Sequence, residues 1–206
     1  MNNNQKYYIA LGLIISSYLF GTICIQLGVW PYLANFTWFQ MLLSAALLFW
    51  IEDDSNKIKL FQFFIPSYLI GYLTEVVGIN TGLIFGDYEY GAALGVKLFD
   101  TPLMIGVNWF IVCFAVNDLL NRLKLHKIIH LLLAAAIITA TDYIIEPDAI
   151  RHNMWNWFGE DVPLKNYITW YVVSLGIGIF YLWIKPNNSR LSLVIYTCML
   201  IFFLVK

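Results

Sequence analysis

Apolar residues run along this chain in blocks of membrane-span length. They show neither the alternation of a surface strand nor the narrow stripe of a surface helix. Seven blocks stand out, at 7–28, 34–51, 60–81, 102–120, 128–146, 166–184 and 191–205. Polar or turn-forming stretches separate them: WPYLAN, EDDSNK, the GDYEYG region, NRLKLH, the long EPDAIRHNMWNWFGEDVP and KPNNSR. No charge falls between Lys6 and Glu52, which leaves room for two spans of about 20 residues each. The pattern predicts an all-α fold, a polytopic membrane protein with about seven transmembrane helices in one bundle. No stretch is long or polar enough for a separate soluble domain, so residues 1–206 are expected to form a single integral-membrane domain. The apolar run after MNNNQK has no small-residue cleavage site and reads as a retained first helix rather than a signal peptide.

Composition agrees with the pattern. The chain is 60% hydrophobic and 12% charged, against roughly 25% charged in an average soluble domain. A net charge of −1 argues against a nucleic-acid surface. Cys24, Cys113 and Cys198 each fall inside an apolar block, which suits packing and not a disulfide framework or a metal motif. Basic residues set the expected orientation. The side of the N-terminus, side A, holds eight: Lys6, Lys57, Lys59, Arg122, Lys124, Lys127, Lys185 and Arg190. Side B holds four: Lys97, Arg151, Lys165 and Lys206. The positive-inside rule puts side A, with the N-terminus, in the cytoplasm, and the C-terminus on the opposite face.

Polar residues inside the apolar blocks gather toward side B. Glu75 lies near that end of the third block, Asn108 and Trp109 in that half of the fourth, Asp142 and Glu146 at that end of the fifth, and Asn166 and Trp170 open the sixth. The loops richest in aromatic and acidic residues, GDYEYG and EPDAIRHNMWNWFGED, are on the same side. This convergence predicts one site. Gly71, Glu75, Gly78 and Gly82 share a helix face, and glycines beside a carboxylate let a helix or a thin ligand come close. Asp142 and Glu146 form an i,i+4 pair on a stripe with Ala135 and Thr139. Two adjacent carboxylates in a poorly hydrated place do not easily both ionise, so one is expected to keep its proton, and burial pushes Glu75 the same way. A protonated carboxylic acid in an apolar cleft is a general acid. Intramembrane acids cost roughly 2.5–3.5 kcal/mol to insert, which favours a functional reading. Blander readings stand beside it. Glu75 could hold a structural hydrogen bond, Glu146 could be the wet end of a helix before Pro147, and Trp155 and Trp157 could be an interfacial belt. Asn108 and Asn166 could be inter-helix glue, and Asp87 and Glu89 solvated loop acids.

Other chemistries lack their residues. Three histidines, His126, His130 and His152, are too few for a histidine-rich di-iron site. His126 and His130 have metal-compatible spacing but lie on side A with no third ligand. There is no dinucleotide fingerprint, no P-loop, and no lysine within the last apolar block for a retinal Schiff base. The expected chemistry uses no cofactor and no metal: proton-driven chemistry on an apolar substrate.

The motifs resemble a known family. Glu75, Gly78, Gly82, Phe85, Gly86, Tyr88 and Tyr90 form a Glu, spaced glycines and an FG-x-Y-x-Y loop. Pro102 and Trp109 follow, then Asp142 with Glu146-Pro147, Trp155 and Trp157, and Val162-Pro163 with Asn166 and Trp170. In that order, over about residues 70–172, they resemble the bacterial and archaeal carotenoid biosynthesis membrane proteins that include the carotenoid 1,2-hydratases. Leu83-Ile84, Lys97, Asp100, Tyr167 and Thr169 depart from the pattern.

The resemblance implies an enzyme that adds water across the terminal C1–C2 double bond of an acyclic carotenoid ψ-end, lycopene for example. Protonation at C2 gives a tertiary cation at C1, and water captures it. Glu75 is the expected acid, with Asp142 and Glu146 holding the water and taking its proton. Gly78, Gly82, Tyr88, Tyr90, Asn108, Trp109, Trp155, Trp157, Asn166 and Trp170 are the expected substrate-binding residues. Aromatic faces would ease the cation by roughly 0.5–2 kcal/mol each. The polyene would extend into the bilayer, the host being a bacterial inner membrane with the active-site loops on the face opposite the cytoplasm. An insoluble substrate makes other carotenoid-pathway enzymes expected partners. Two rivals remain: a cyclase, in which an internal double bond captures the cation, and a non-enzymatic transporter or lipid-binding protein.

Overall fold

The computed structural model describes residues 2–29, 37–159 and 161–205. The expected WPYLAN turn from Trp30 on, the first three residues of the second apolar block and the basic residue Lys206 lie outside them. Seven helices are described: α1 (Asn3–Gln26), α2 (Thr37–Ile51), α3 (Asp54–Thr81), α4 (Leu103–Asn121), α5 (Lys127–Arg151), α6 (Leu164–Ile184) and α7 (Arg190–Leu204). Five of them, α1, α3, α4, α5 and α6, are long and apolar enough to cross a membrane; α2 and α7 are apolar but have only 15 residues each. At 1.5 Å per residue that is about 22 Å of helix, less than the roughly 30 Å of a bilayer's hydrocarbon. The fold is all-α and polytopic, and the protein is a membrane protein.

Helix limits follow local capping chemistry more than the apolar blocks. Asn2 and Gln5 form a reciprocal capping box, so α1 starts before the apolar run. Asp53 accepts from the Asn56 N–H at 2.8 Å, so α3 starts six residues before its block. Gly82 ends α3 with a left-handed φ of 65°. α5 runs past Glu146 to Arg151, carrying Pro147 inside it, because Asp148 and Ala149 are still buried beyond the proline.

α4 is the axis of the bundle. Its residues from Ile105 to Asp118 are all buried, as suits a helix that is covered on every side. It packs against α2, α3, α5, α6 and α7, while α1 packs on α2 and α7. The outer helices turn Leu69, Leu73, Leu132, Ile179 and Trp183 outward, a surface that only lipid covers well.

The α3–α4 joint depends on Gly71. A Cβ there would stand 2.3 Å from the Trp109 ring, far inside van der Waals contact. Gly71→Ala is therefore expected to separate the two helices and shift Trp109. A fall in the temperature of half-aggregation in detergent checks this, and an unchanged value contradicts the packing.

Two short ribbons lie at the end of the bundle where α3 and α5 finish and α4 and α6 begin. In the first, β1 (Tyr88–Tyr90) pairs antiparallel with β4 (Trp155–Trp157); in the second, β2 (Lys97–Leu98) pairs with β3 (Thr101–Pro102). At the opposite end, buried Asp118 accepts from Arg122 at 2.9 Å and from Ser192, while Arg122 reaches the Ser189 carbonyl at 2.7 Å. This tie pins α4 to the start of α7. His126 caps α5 there, and His130 meets Asn117 Oδ1 at 3.0 Å.

Candidate active site

The site forms where β1 and β4 close the bundle. The ribbon register sets Tyr88 opposite Trp157 and Tyr90 opposite Trp155. Because side chains alternate along a strand, these four rings turn inward and the exposed Glu89 turns out. The inward phenols meet Glu75 from α3. Tyr88 Oη donates to Glu75 Oε2, Tyr90 Oη donates to the same oxygen at 2.8 Å, and Trp109 Nε1 of α4 donates to Oε1 at 3.2 Å. Burial first, and the neighbouring carboxylate second, push both phenols well above the ordinary tyrosine range, so they remain O–H donors.

The inward indoles meet the acids of α5. Trp155 Nε1 donates to Glu146 Oε1 at 2.7 Å, and Trp157 Nε1 donates to the same oxygen. Asn166 of α6 donates from Nδ2 to Asp142 Oδ2 at 2.8 Å. Glu75, Asp142 and Glu146 are each no more than 3% exposed. The three carboxylates are held differently. Glu75 receives donors at both oxygens, whereas Asp142 and Glu146 each receive them at one. Among the described residues no donor reaches Asp142 Oδ1 or Glu146 Oε2.

All three acids face a cavity of about 20 Å³, together with Phe85, Tyr88, Tyr90, Ile105, Asn108, Trp155, Trp157, Asn166 and Trp170. One water needs roughly 10–15 Å³ and two to four polar partners, so the space suits one water. A second cavity of about 460 Å³ adjoins it, sharing Ile105, Asn108 and Trp155 as walls. Its other walls are chiefly apolar side chains of α1, α2, α4, α5 and α7, including Tyr18, Phe39, Met41, Met199, Phe202 and Phe203. The pair of spaces amounts to an apolar slot beside a small acidic chamber.

The structure brings most of the expected site residues together and changes the part that some play. Trp109 does not line the chamber; it stacks on Trp170 with ring centroids 3.9 Å apart and orients Glu75. Gly78 and Gly82 do not line it either. A Cβ at Gly78 would meet the Phe85 ring at 2.5 Å, and one at Gly82 would meet Asp87 Oδ1 at 2.0 Å. These glycines make room for their own loop, and of the three glycines on the Glu75 face Gly71 is the one that admits a neighbouring helix. Glu146 is buried under two indoles and is not a wet helix end. Asp87 and Glu89 are exposed. Two departures from the family pattern brace the loops: Lys97 Nζ holds the Tyr90 carbonyl, and Thr169 Oγ1 donates to the Ile84 carbonyl at 2.8 Å. Ile105 and the apolar slot walls other than Trp155 were not expected from sequence, because an apolar side chain lining a slot looks like one facing lipid; Phe85 stood in the motif but had no expected place in the site.

A family model described as carotenoid biosynthesis protein matches residues 36–205. The bisanhydrobacterioruberin hydratase of Haloarcula japonica is 29% identical over 151 residues, covering 68% of this chain and 50% of that protein. The chain thus spans about half the length of this curated relative. No solved structure matches.

Proposed function

Since the chain belongs to the carotenoid biosynthesis protein family, we propose that it is a hydratase acting on the acyclic end of a carotenoid. The terminal C1–C2 double bond enters the acidic chamber and the polyene lies in the apolar slot and the bilayer. A carboxylic acid adds its proton to C2, C1 becomes a tertiary cation, and the water oxygen bonds to C1. The resulting oxonium returns a proton to a carboxylate, so the net change is the addition of one water. The observation that carries this reading is the water-sized acidic chamber beside an apolar slot.

The hydrogen bonds favour a different division of labour from the one expected of the motif. Glu75, with both oxygens engaged, serves to set Tyr88, Tyr90 and Trp109 around the chamber. Asp142, anchored by Asn166 at one oxygen and unengaged at the other, is better placed to carry the proton. Glu146, held by Trp155 and Trp157 at Oε1, turns its second oxygen to the role of base. Trp155, Trp157 and Trp170 give the cation aromatic faces.

A cyclase would share the protonation but would exclude water, and a chamber that suits one water with polar walls favours hydration. A transporter predicts no product. Membranes containing the protein are given an acyclic carotenoid and the pigments are weighed by mass spectrometry. A product heavier by one water supports the hydratase, an isomer of unchanged mass supports the cyclase, and unchanged substrate counts against an enzyme. We also place the ribbon end of the bundle on the non-cytoplasmic face, from the basic residues at the other end. A reporter fused at the β2–β3 turn that is active only in the cytoplasm would reverse that orientation.

A further inference from the structure

Among the described residues none hydrogen-bonds the Asn108 side chain, which stands where the two spaces meet. Three residues wall both the slot and the chamber: Ile105, Asn108 and Trp155. Ile105 has no polar side-chain atom, and the Trp155 N–H is already given to Glu146 at 2.7 Å. Among the described residues, the Asn108 carboxamide is therefore the one uncommitted polar side chain on the shared wall. It is 6% exposed, and no described residue hydrogen-bonds its side chain. Asn108 lines both cavities, so a small polar guest such as water can satisfy its amide there.

Resting on the hydratase reading, we propose that Asn108 binds the reacting water and thereby decides the fate of the cation. Water at this junction can accept from the amide N–H and donate to the open oxygens of Asp142 and Glu146. One lone pair is then left to face the slot and C1. The acid can still protonate C2 without this water, but the cation at C1, where no internal double bond reaches it, then loses a neighbouring proton back to a carboxylate. That restores an alkene, and the atoms balance without water. Asn108 is thus the residue that separates hydration from futile proton exchange.

The test uses full-length protein in membranes, an acyclic ψ-end carotenoid and D2O. Two quantities are read from one reaction: hydrated product, and deuterium gained by the recovered alkene, which reports protonation alone. Asn108→Leu fills the site with an apolar group of similar size. It is expected to lower hydrate formation at least tenfold while deuterium uptake into the alkene stays within about twofold of wild type or rises. Asn108→Ser, which keeps a hydroxyl and adds room, is expected to recover part of the hydrate. Hydrate at the wild-type rate from Asn108→Leu overturns the proposal. So does parallel loss of hydrate and deuterium in both variants, which would make Asn108 a packing residue. A wild-type protein that yields neither hydrate nor deuterated alkene removes the hydratase reading itself, a result distinct from either.

Discussion

Asp142→Asn is expected to fold normally and to lose about 10²–10⁴-fold of its hydration rate, the range general acid–base catalysis contributes. The substitution preserves shape and leaves an oxygen to accept from Asn166, as Asp142 Oδ2 does at 2.8 Å. What it removes is the group that can pass a proton to carbon. Glu75→Gln is the matched control. Its side chain can still accept from Tyr88 and Tyr90, but its NH₂ would face the Trp109 N–H, which is 3.2 Å from Glu75 Oε1. That conflict should lower stability and reduce the rate modestly. Deuterium uptake into the alkene, read for both variants after their thermal stability, decides the assignment. If Glu75→Gln folds and loses uptake while Asp142→Asn keeps it, the acid is Glu75 and the division of labour proposed from the hydrogen bonds is wrong.

Tyr88→Phe with Tyr90→Phe is expected to produce the second large effect, on stability more than on chemistry. Each change strips a donor from a buried carboxylate, and an unsatisfied buried acceptor costs about 1–3 kcal/mol. Both donors serve Glu75 Oε2, so the double variant leaves that one oxygen unsatisfied and should lose about 1–3 kcal/mol, seen as a lower midpoint of thermal denaturation in lipid nanodiscs. Its ribbon should also loosen, since the Tyr88 ring packs 4.9 Å from Trp157, and indole fluorescence should report it. Adding Glu75→Leu removes acceptor and donors together and should restore part of the loss. No restoration would mean that the phenols matter for packing alone. The same phenols predict alkaline sensitivity. Burial raises them above the ordinary value of about 10. Their contribution is complete below that pH and falls as pH rises past it, because the unfolded chain then releases protons that the folded chain keeps. The double Phe variant should show a shallower decline in that range.

The seven helices and the gathering of acids at one end could be read in the sequence because both depend on local, countable features. A run such as residues 102–120 has the length and hydropathy of a span whatever surrounds it. An acid such as Glu75 inside a block is conspicuous because lipid penalises it. The motif order from Glu75 to Trp170 likewise pointed to the carotenoid biosynthesis family. Helix ends were harder. α3 begins at Asp54 because Asp53 caps it, and α5 survives Pro147 because the residues beyond it are buried. The hydrophobic blocks carry neither fact.

By itself, then, the sequence determined the class of solvent, the helix count, the pole at which the acids collect and the family. The first three follow from composition, periodicity and residue order, and the family from the resemblance of the motifs. The tertiary structure alone decided which acid keeps an oxygen open, because that depends on donors up to 34 residues away, as for Trp109 and Glu75. It alone paired GDYEYG with WNW into a ribbon and aimed two phenols and two indoles at different carboxylates. It also separated slot-lining residues such as Met41 and Met199 from lipid-facing ones, a distinction with no chemical mark on the chain. An apolar side chain facing a ligand and one facing a lipid tail obey the same physics, and only the positions of the neighbouring helices tell them apart.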